Sequence, residues 1–136
     1  MLRDNAKVSV FDSGFLLGDG IWEGLRLNQK KWVFFEDHIK RLFEALKLVE
    51  IKFELSKDQI LQELEKTRLS NDMHTDVYAR FMVTRGKKSK PFQHPDFSIY
   101  GPTYVIIMEH SKPSLKVSER NLKLITVPQV RGLPMT

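Results

Sequence analysis

Residues 77–84, Val-Tyr-Ala-Arg-Phe-Met-Val-Thr, alternate strictly between an apolar set, Val77, Ala79, Phe81 and Val83, and a set that contains the polar residues, Tyr78, Arg80, Met82 and Thr84. Successive side chains of a β-strand point to opposite faces of the sheet, so this pattern predicts a strand with one buried face. Tyr78 and Arg80 then share the more polar face, where an arginine beside a phenol suits the binding of a carboxylate. A solvent-facing strand explains the same two residues almost as well.

Two stretches before this strand have a helical period instead. The first helix begins near residue 36, where Glu36 and Asp37 suit a helix N-terminus. Its apolar stripe consists of Ile39, Leu42, Phe43, Leu46 and Val49. The second helix begins at Ser56, whose hydroxyl can cap it while Gln59 reaches back from three residues on. Its stripe consists of Ile60, Leu61 and Leu64.

The N-terminal third of the chain contains further strand signals. Residues 7–11 alternate and predict a short strand, whereas residues 12–20 contain three glycines and predict a structured loop. Residues 22–27 and 31–35 are strand-forming runs that a short polar connection joins, which predicts a hairpin.

The last third of the chain adds a loop, two strands and an ending. Residues 85–102 contain three prolines and three lysines and predict a long functional loop. Continuous apolar runs at 103–108 and 122–127 predict buried strands. Residues 128–136, with two prolines and a glycine, read as the start of a linker between domains. The resulting prediction is an α+β domain over residues 1–127 with a mostly antiparallel sheet and two helices, in a chain that is part of something larger.

Composition removes several classes of function. A length of 136 residues suits one domain, and the absence of cysteine excludes disulfides and thiol chemistry. No apolar stretch resembles a secretory signal or reaches the length of a membrane span, so we expect a cytoplasmic protein without a membrane partner. The net charge of +5 permits an anionic partner but selects none.

The isolated motifs are weak when each is taken alone. Glycines at 18, 20 and 24 do not fit a dinucleotide-binding fingerprint, and the four histidines lack the spacing of metal ligands. The basic run at 85–90 followed by Phe92 suits single-stranded nucleic acid, but a solvated loop explains it better. Arg41 lies one helical turn after His38, and an ordinary pairing with Asp37 or Glu44 accounts for it when it is considered alone.

Four motifs in order, however, are similar to the N-terminal part of class IV aminotransferases, the fold-type IV enzymes that use pyridoxal 5′-phosphate (PLP). They are residues 11–26 with Gly-Asp-Gly and Trp-Glu-Gly-Leu-Arg, His-Ile-Lys-Arg-Leu at 38–42, Tyr-Ala-Arg at 78–80, and Val-Thr-Arg-Gly at 83–86. The resemblance covers nearly the whole chain. The family includes branched-chain aminotransferases, D-amino-acid aminotransferases and aminodeoxychorismate lyase.

The resemblance implies a role for particular residues. Arg41 corresponds to the arginine that binds the cofactor phosphate, a task that suits a permanently charged guanidinium. Residues that correspond to the family's substrate pocket are Trp22, Gly24, Arg26, Tyr78 and Arg80. Leu17 stands where many branched-chain enzymes have a tyrosine that reaches the neighbouring subunit's site, which leaves the substrate preference open.

The resemblance implies a homodimer that catalyses transamination between an amino acid and a 2-oxo acid such as 2-oxoglutarate. The amino acid that we expect is a branched-chain one. The family's cofactor-binding lysine lies in a second domain, so we expect it beyond Thr136 and expect residues 1–136 alone to be inactive. A PLP-dependent lyase of the same fold is the alternative within the family. A non-catalytic module that binds an anionic partner, or a fragment that only folds and associates, are alternatives outside it.

Overall fold

The computed structural model describes residues 3–112, 123 and 125–128. The elements in chain order are α1 (Ser13–Leu17), β1 (Gly20–Asn28), β2 (Lys31–Val33), α2 (Phe35–Leu48), α3 (Lys57–Ser70), β3 (Val77–Thr84) and β4 (Thr103–His110). Single turns of 3₁₀-helix cover Arg3–Asn5 and Pro95–Phe97.

The four strands form one sheet in the order β2-β1-β3-β4, and every neighbouring pair is antiparallel. The α+β prediction with an antiparallel sheet and two principal helices is therefore confirmed. The register of β1 on β3 places Gly24 opposite Arg80 and Arg26 opposite Tyr78. Cross-strand partners share a face, so this register decides which side chains meet.

The predicted hairpin is confirmed. Gln29 and Lys30 connect β1 to β2 and have positive φ angles of 46° and 63°. Two central residues with positive φ are the pattern of a type I′ turn, whose twist matches that of the paired strands.

Both predicted helices are also confirmed. In α2 the residues Ile39, Leu42 and Leu46 are buried, as the stripe requires. The N-terminus of α3 has a capping box, because Ser56 Oγ accepts from Gln59 N and the Gln59 side chain accepts from Ser56 N. The two helices cover one face of the sheet, which we call the inner face. Its core residues include Leu25, Ala79, Phe81 and Val83.

Two predictions near the N-terminus are wrong. Residues 7–11 are not a strand, and Val8 and Val10 are 51% and 64% exposed. Within the described part of the chain no strand pairs with them, so neither side of the alternating segment is buried. The loop predicted over 12–20 contains the short helix α1, which Asp12 caps by accepting from Gly14 N at 2.9 Å and which Gly18 ends with a φ of 67°.

Of the two strands predicted in the last third of the chain, one is present and the other lies largely outside the described residues. The strand predicted at 103–108 exists as β4, but it is the last strand of the described sheet, and Ile107 is 46% exposed rather than buried. The strand predicted at 122–127 lies largely outside the described residues, and residues 123 and 125–127 are not in a strand. The linker predicted at 128–136 lies outside them apart from Pro128. Among the described residues, no helix is long and apolar enough to cross a membrane.

Candidate functional site

The face of the sheet away from α2 and α3, which we call the outer face, brings together five residues that the sequence singles out. β1 contributes Trp22, Gly24 and Arg26, and β3 contributes Tyr78 and Arg80. The alternation of both strands leaves these side chains half-buried or exposed, whereas the residues between them are buried. The shared face predicted for Tyr78 and Arg80 is confirmed.

Arg80 is held from two sides on the outer face. Its guanidinium carbon lies 4.5 Å from the centroid of the Trp22 ring, and its Nε lies 3.4 Å from the Tyr78 hydroxyl. A cation over an indole face is attracted by the ring quadrupole. Neither Nη group of Arg80 bonds to another described residue, so both can donate to an anion.

Gly24 leaves the space that Tyr78 fills. A Cβ atom at position 24 would lie 2.9 Å from the Tyr78 hydroxyl and 3.1 Å from Cε2 of its ring. Any side chain at this position would therefore displace the phenol. The glycine lets Tyr78 lie across β1 and reach Arg80.

Arg26, by contrast, already has partners. Its Nη1 donates to the Ser111 carbonyl oxygen at 2.6 Å, and its Nη2 lies 3.5 Å from the Ser111 hydroxyl. These bonds fix the chain just after β4. Of the two arginines on the outer face, Arg80 is the one whose terminal N–H groups remain available.

Arg41 lies on α2, and its guanidinium meets β1 at Glu23. Its Nε and Nη2 donate to Glu23 Oε1 and Oε2 at 2.6 and 2.5 Å, in a bidentate pair. Nδ1 of His38 lies 2.8 Å from the same Oε2. Glu23 is a β1 residue that points toward α2, so the partner of Arg41 is neither Asp37 nor Glu44.

Burial and hydrogen bonding act on the pKa of Glu23 in opposite directions. Glu23 is only 3% exposed, and burial acts to raise the pKa of its carboxyl group. The hydrogen bonds from Arg41 and His38 outweigh burial, and the net pKa of Glu23 is lowered. Glu23 is therefore a carboxylate, and the same bond raises the pKa of Arg41.

Arg41 suits the binding of a phosphate group. Its side chain is 67% exposed, and Nη1 makes no hydrogen bond to any described residue. A permanently charged group with a free N–H is the chemistry that a phosphate oxygen requires. No group of three or more His, Asp or Glu side chains in the described part of the chain is placed to hold a metal ion.

Glu23 is the site residue that the sequence reasoning missed. A signal was present, because residues 21–27 alternate and Glu23 occupies the register of Ile21, Leu25 and Leu27. A carboxylate at a buried register needs a cationic partner. The sequence does not say which of the surrounding cations supplies it.

The basic loop after β3 is less basic at its surface than its sequence indicates. Lys88 is 1% exposed and donates to Ser98 Oγ at 3.0 Å. Lys87 and Lys90 lie over the rings of Tyr100 and Phe97. Since the three lysines do not form one open face, the geometry weakens the nucleic-acid alternative.

Comparison with known families shows to which family this chain, with its outer-face residues and its Arg41–Glu23 pair, belongs. The family model for amino-transferase class IV matches residues 20–135. The chain belongs to the class IV aminotransferase family. The resemblance read from the four motifs is thereby confirmed.

Individual relatives include both an aminotransferase-like protein and a lyase. The chain is 33% identical over 132 residues to branched-chain-amino-acid aminotransferase-like protein 1 of Arabidopsis thaliana, a match that covers 97% of this chain and 24% of that protein. It is 30% identical over 128 residues to aminodeoxychorismate lyase of Bacillus subtilis (strain 168), with 93% and 43% covered. The chain thus spans less than half the length of either relative.

The fold matches that of a solved aminotransferase. The structure of the branched-chain amino acid aminotransferase from Escherichia coli aligns with a TM-score of 0.67 at 18% identity, over 78% of this chain and 36% of that one. At this identity the match establishes the shared fold.

Proposed function

We propose that this chain supplies one wall of the active site of a PLP-dependent aminotransferase. The observation that carries the proposal is the outer face, where Trp22, Gly24, Tyr78 and Arg80 form a cationic, partly aromatic surface. The residues that the motif resemblance assigns to the substrate pocket are these four and Arg26, and all five lie on this one surface, although β1 and β3 are separated by two helices in the sequence.

Arg80 is the proposed ligand of a substrate carboxylate. The Trp22 ring holds its guanidinium, Tyr78 lies beside it, and both Nη groups are available for a bidentate bond. Arg26 is proposed to stabilise the outer face, because its Nη groups already bond to Ser111. The proposed substrates are an amino acid, preferably branched-chain, and a 2-oxo acid.

Arg41 is the proposed ligand of the cofactor phosphate, supported by its exposed guanidinium with one free N–H. When bound, PLP withdraws electrons from the substrate Cα and so makes its proton removable. We propose that the lysine which binds PLP lies beyond Thr136, that residues 1–127 form the domain, and that the protein works as a homodimer in the cytoplasm.

The test replaces Arg80 by lysine in the protein as its gene encodes it. Formation of glutamate from 2-oxoglutarate is measured with leucine, isoleucine, valine and D-alanine as amino donors. Arg80→Lys should lower kcat/KM about tenfold or more, mainly by raising KM, because lysine cannot make the bidentate bond. Arg68→Lys is the control, since Arg68 lies on α3, away from the outer face, and pairs bidentately with Glu65. An unchanged KM for Arg80→Lys refutes the assignment.

A PLP-dependent lyase is the second candidate, and the match to the Bacillus subtilis lyase favours it. Pyruvate release from aminodeoxychorismate in the absence of any 2-oxo acid distinguishes it from a transaminase. Pyruvate release without glutamate formation would replace the transaminase proposal.

A further inference from the structure

Glu23 is a buried carboxylate at a position where the fold has no need of charge. Its neighbours on the inner face, Ile21 and Leu25, contribute to the core, and Glu23 itself is 3% exposed. Replacing a buried ion pair by packed apolar residues is often neutral or stabilising. Stability alone therefore does not account for a carboxylate at this position.

What Glu23 does is restrict the guanidinium of Arg41. The two groups meet along one edge of the guanidinium, with Nε on Oε1 and Nη2 on Oε2, and this leaves Nη1 as the unbonded end. A bidentate pair of this kind fixes the plane of the guanidinium as well as its distance. An arginine that is 67% exposed would otherwise sample many rotamers.

His38 completes the arrangement around the carboxylate. An ionised carboxylate only accepts hydrogen bonds, so the 2.8 Å contact with Oε2 assigns a proton to Nδ1 of His38. Glu23 thus receives donors on both oxygens from two residues of α2, and its own position is fixed by β1.

We propose that Glu23 is the positioning residue of the phosphate site: it holds the Arg41 guanidinium so that Nη1 is presented to the phosphate group of the cofactor. This inference rests on the proposed role of Arg41. It predicts that Glu23 affects the binding of the phosphate group and acts through Arg41. A role in folding alone would affect the binding of the whole cofactor.

The test compares the affinity of the protein for PLP and for pyridoxal, which lacks the phosphate, by absorbance titration. Glu23→Gln keeps the size of the side chain but removes its charge. It should weaken PLP binding about tenfold and leave pyridoxal binding within about twofold. Glu65→Gln is the matched control, because Glu65 also holds an arginine, Arg68, in a bidentate pair. It should change neither affinity.

A double mutant shows whether Glu23 acts through Arg41. Arg41→Ala should weaken PLP binding at least as much as Glu23→Gln, and adding Glu23→Gln to it should cause no further loss. An unchanged ratio of the two affinities in Glu23→Gln, or a full additional loss in the double mutant, overturns the inference.

The outcomes also separate this inference from the proposed function. If Arg41→Ala lowers the PLP-to-pyridoxal affinity ratio and Glu23→Gln does not, only the positioning role fails. If Arg41→Ala leaves the ratio unchanged, the phosphate role of Arg41 itself fails. Should Glu23→Gln not fold, Glu23→Asp gives the same decision, because it keeps the charge but withdraws it by one methylene group from Arg41.

Discussion

Replacing Gly24 by alanine adds one methyl group and should lower activity while leaving the stability of the fold nearly unchanged. The new Cβ would lie 2.9 Å from the Tyr78 hydroxyl, whereas ordinary contacts begin near 3.4 Å, so the end of the phenol must move by about half an ångström. Tyr78 is half-buried on the outer face, and only the far end of its side chain is affected. The displacement therefore falls on the hydroxyl beside Arg80.

The magnitude of the effect follows from that displacement. A misplacement of about 1 Å in an active site costs about a hundredfold in rate, so half of that distance predicts a loss of about tenfold in kcat/KM. The free energy of unfolding should change by less than about 1 kcal/mol, because the lower chain entropy of the unfolded alanine variant offsets the local crowding. Steady-state transamination and urea unfolding measure the two quantities.

Gly86→Ala is the contrasting variant. Gly86 has a φ of 94°, and a Cβ atom there would lie 1.6 Å from the Gly101 carbonyl oxygen, which is backbone and cannot rotate away. We expect it to lose about 3 kcal/mol or more of stability. A Gly24→Ala protein that unfolds as readily as Gly86→Ala, or that retains full activity, would refute the placement of Tyr78 in the site.

Three further predictions concern stability. Hydrogen bonds from Arg68 hold the pKa of Glu65 below its ordinary value, so the stability that this pair contributes is present at neutral pH and is lost on acidification. Urea unfolding from about pH 5 to 3 should therefore show a smaller loss in Glu65→Gln, and equal slopes would contradict this. Arg85 bonds the Asp19 carboxylate and two carbonyl oxygens at the end of α2, so Arg85→Lys should lose about 2 kcal/mol in urea unfolding, and an unchanged midpoint would disprove that role. Ser56→Ala removes the α3 cap and should lose about 1 kcal/mol, measured by thermal unfolding; no shift in Tm would contradict it.

Local patterns predict most of the described fold because they act through nearby residues. The alternation of β3, the capping box at Ser56 and the turn at Gln29 and Lys30 each depend on a few neighbours in the sequence. Residues 7–11 have an equally regular alternation but no strand beside them in the described structure. Their state depends on a distant partner, which local pattern does not specify.

The candidate site divides in the same way. The shared face of Tyr78 and Arg80 follows from a spacing of two along a strand, so the sequence predicts it. The Trp22 ring over Arg80 and the pairing of Arg41 with Glu23 depend on the register between β1 and β3 and on the seat of α2 against β1. These are long-range contacts, which neither local spacing nor the motif resemblance specifies.

The cofactor claim is tested most directly by adding PLP to the protein as its gene encodes it, reducing with borohydride, and measuring the intact mass and the modified peptide. The account predicts one PLP-derived adduct per chain, on a lysine outside residues 1–136, and a weaker uptake of PLP by Arg41→Ala. No adduct, or an adduct on a lysine within residues 1–136 that Arg41→Ala leaves unchanged, would contradict it.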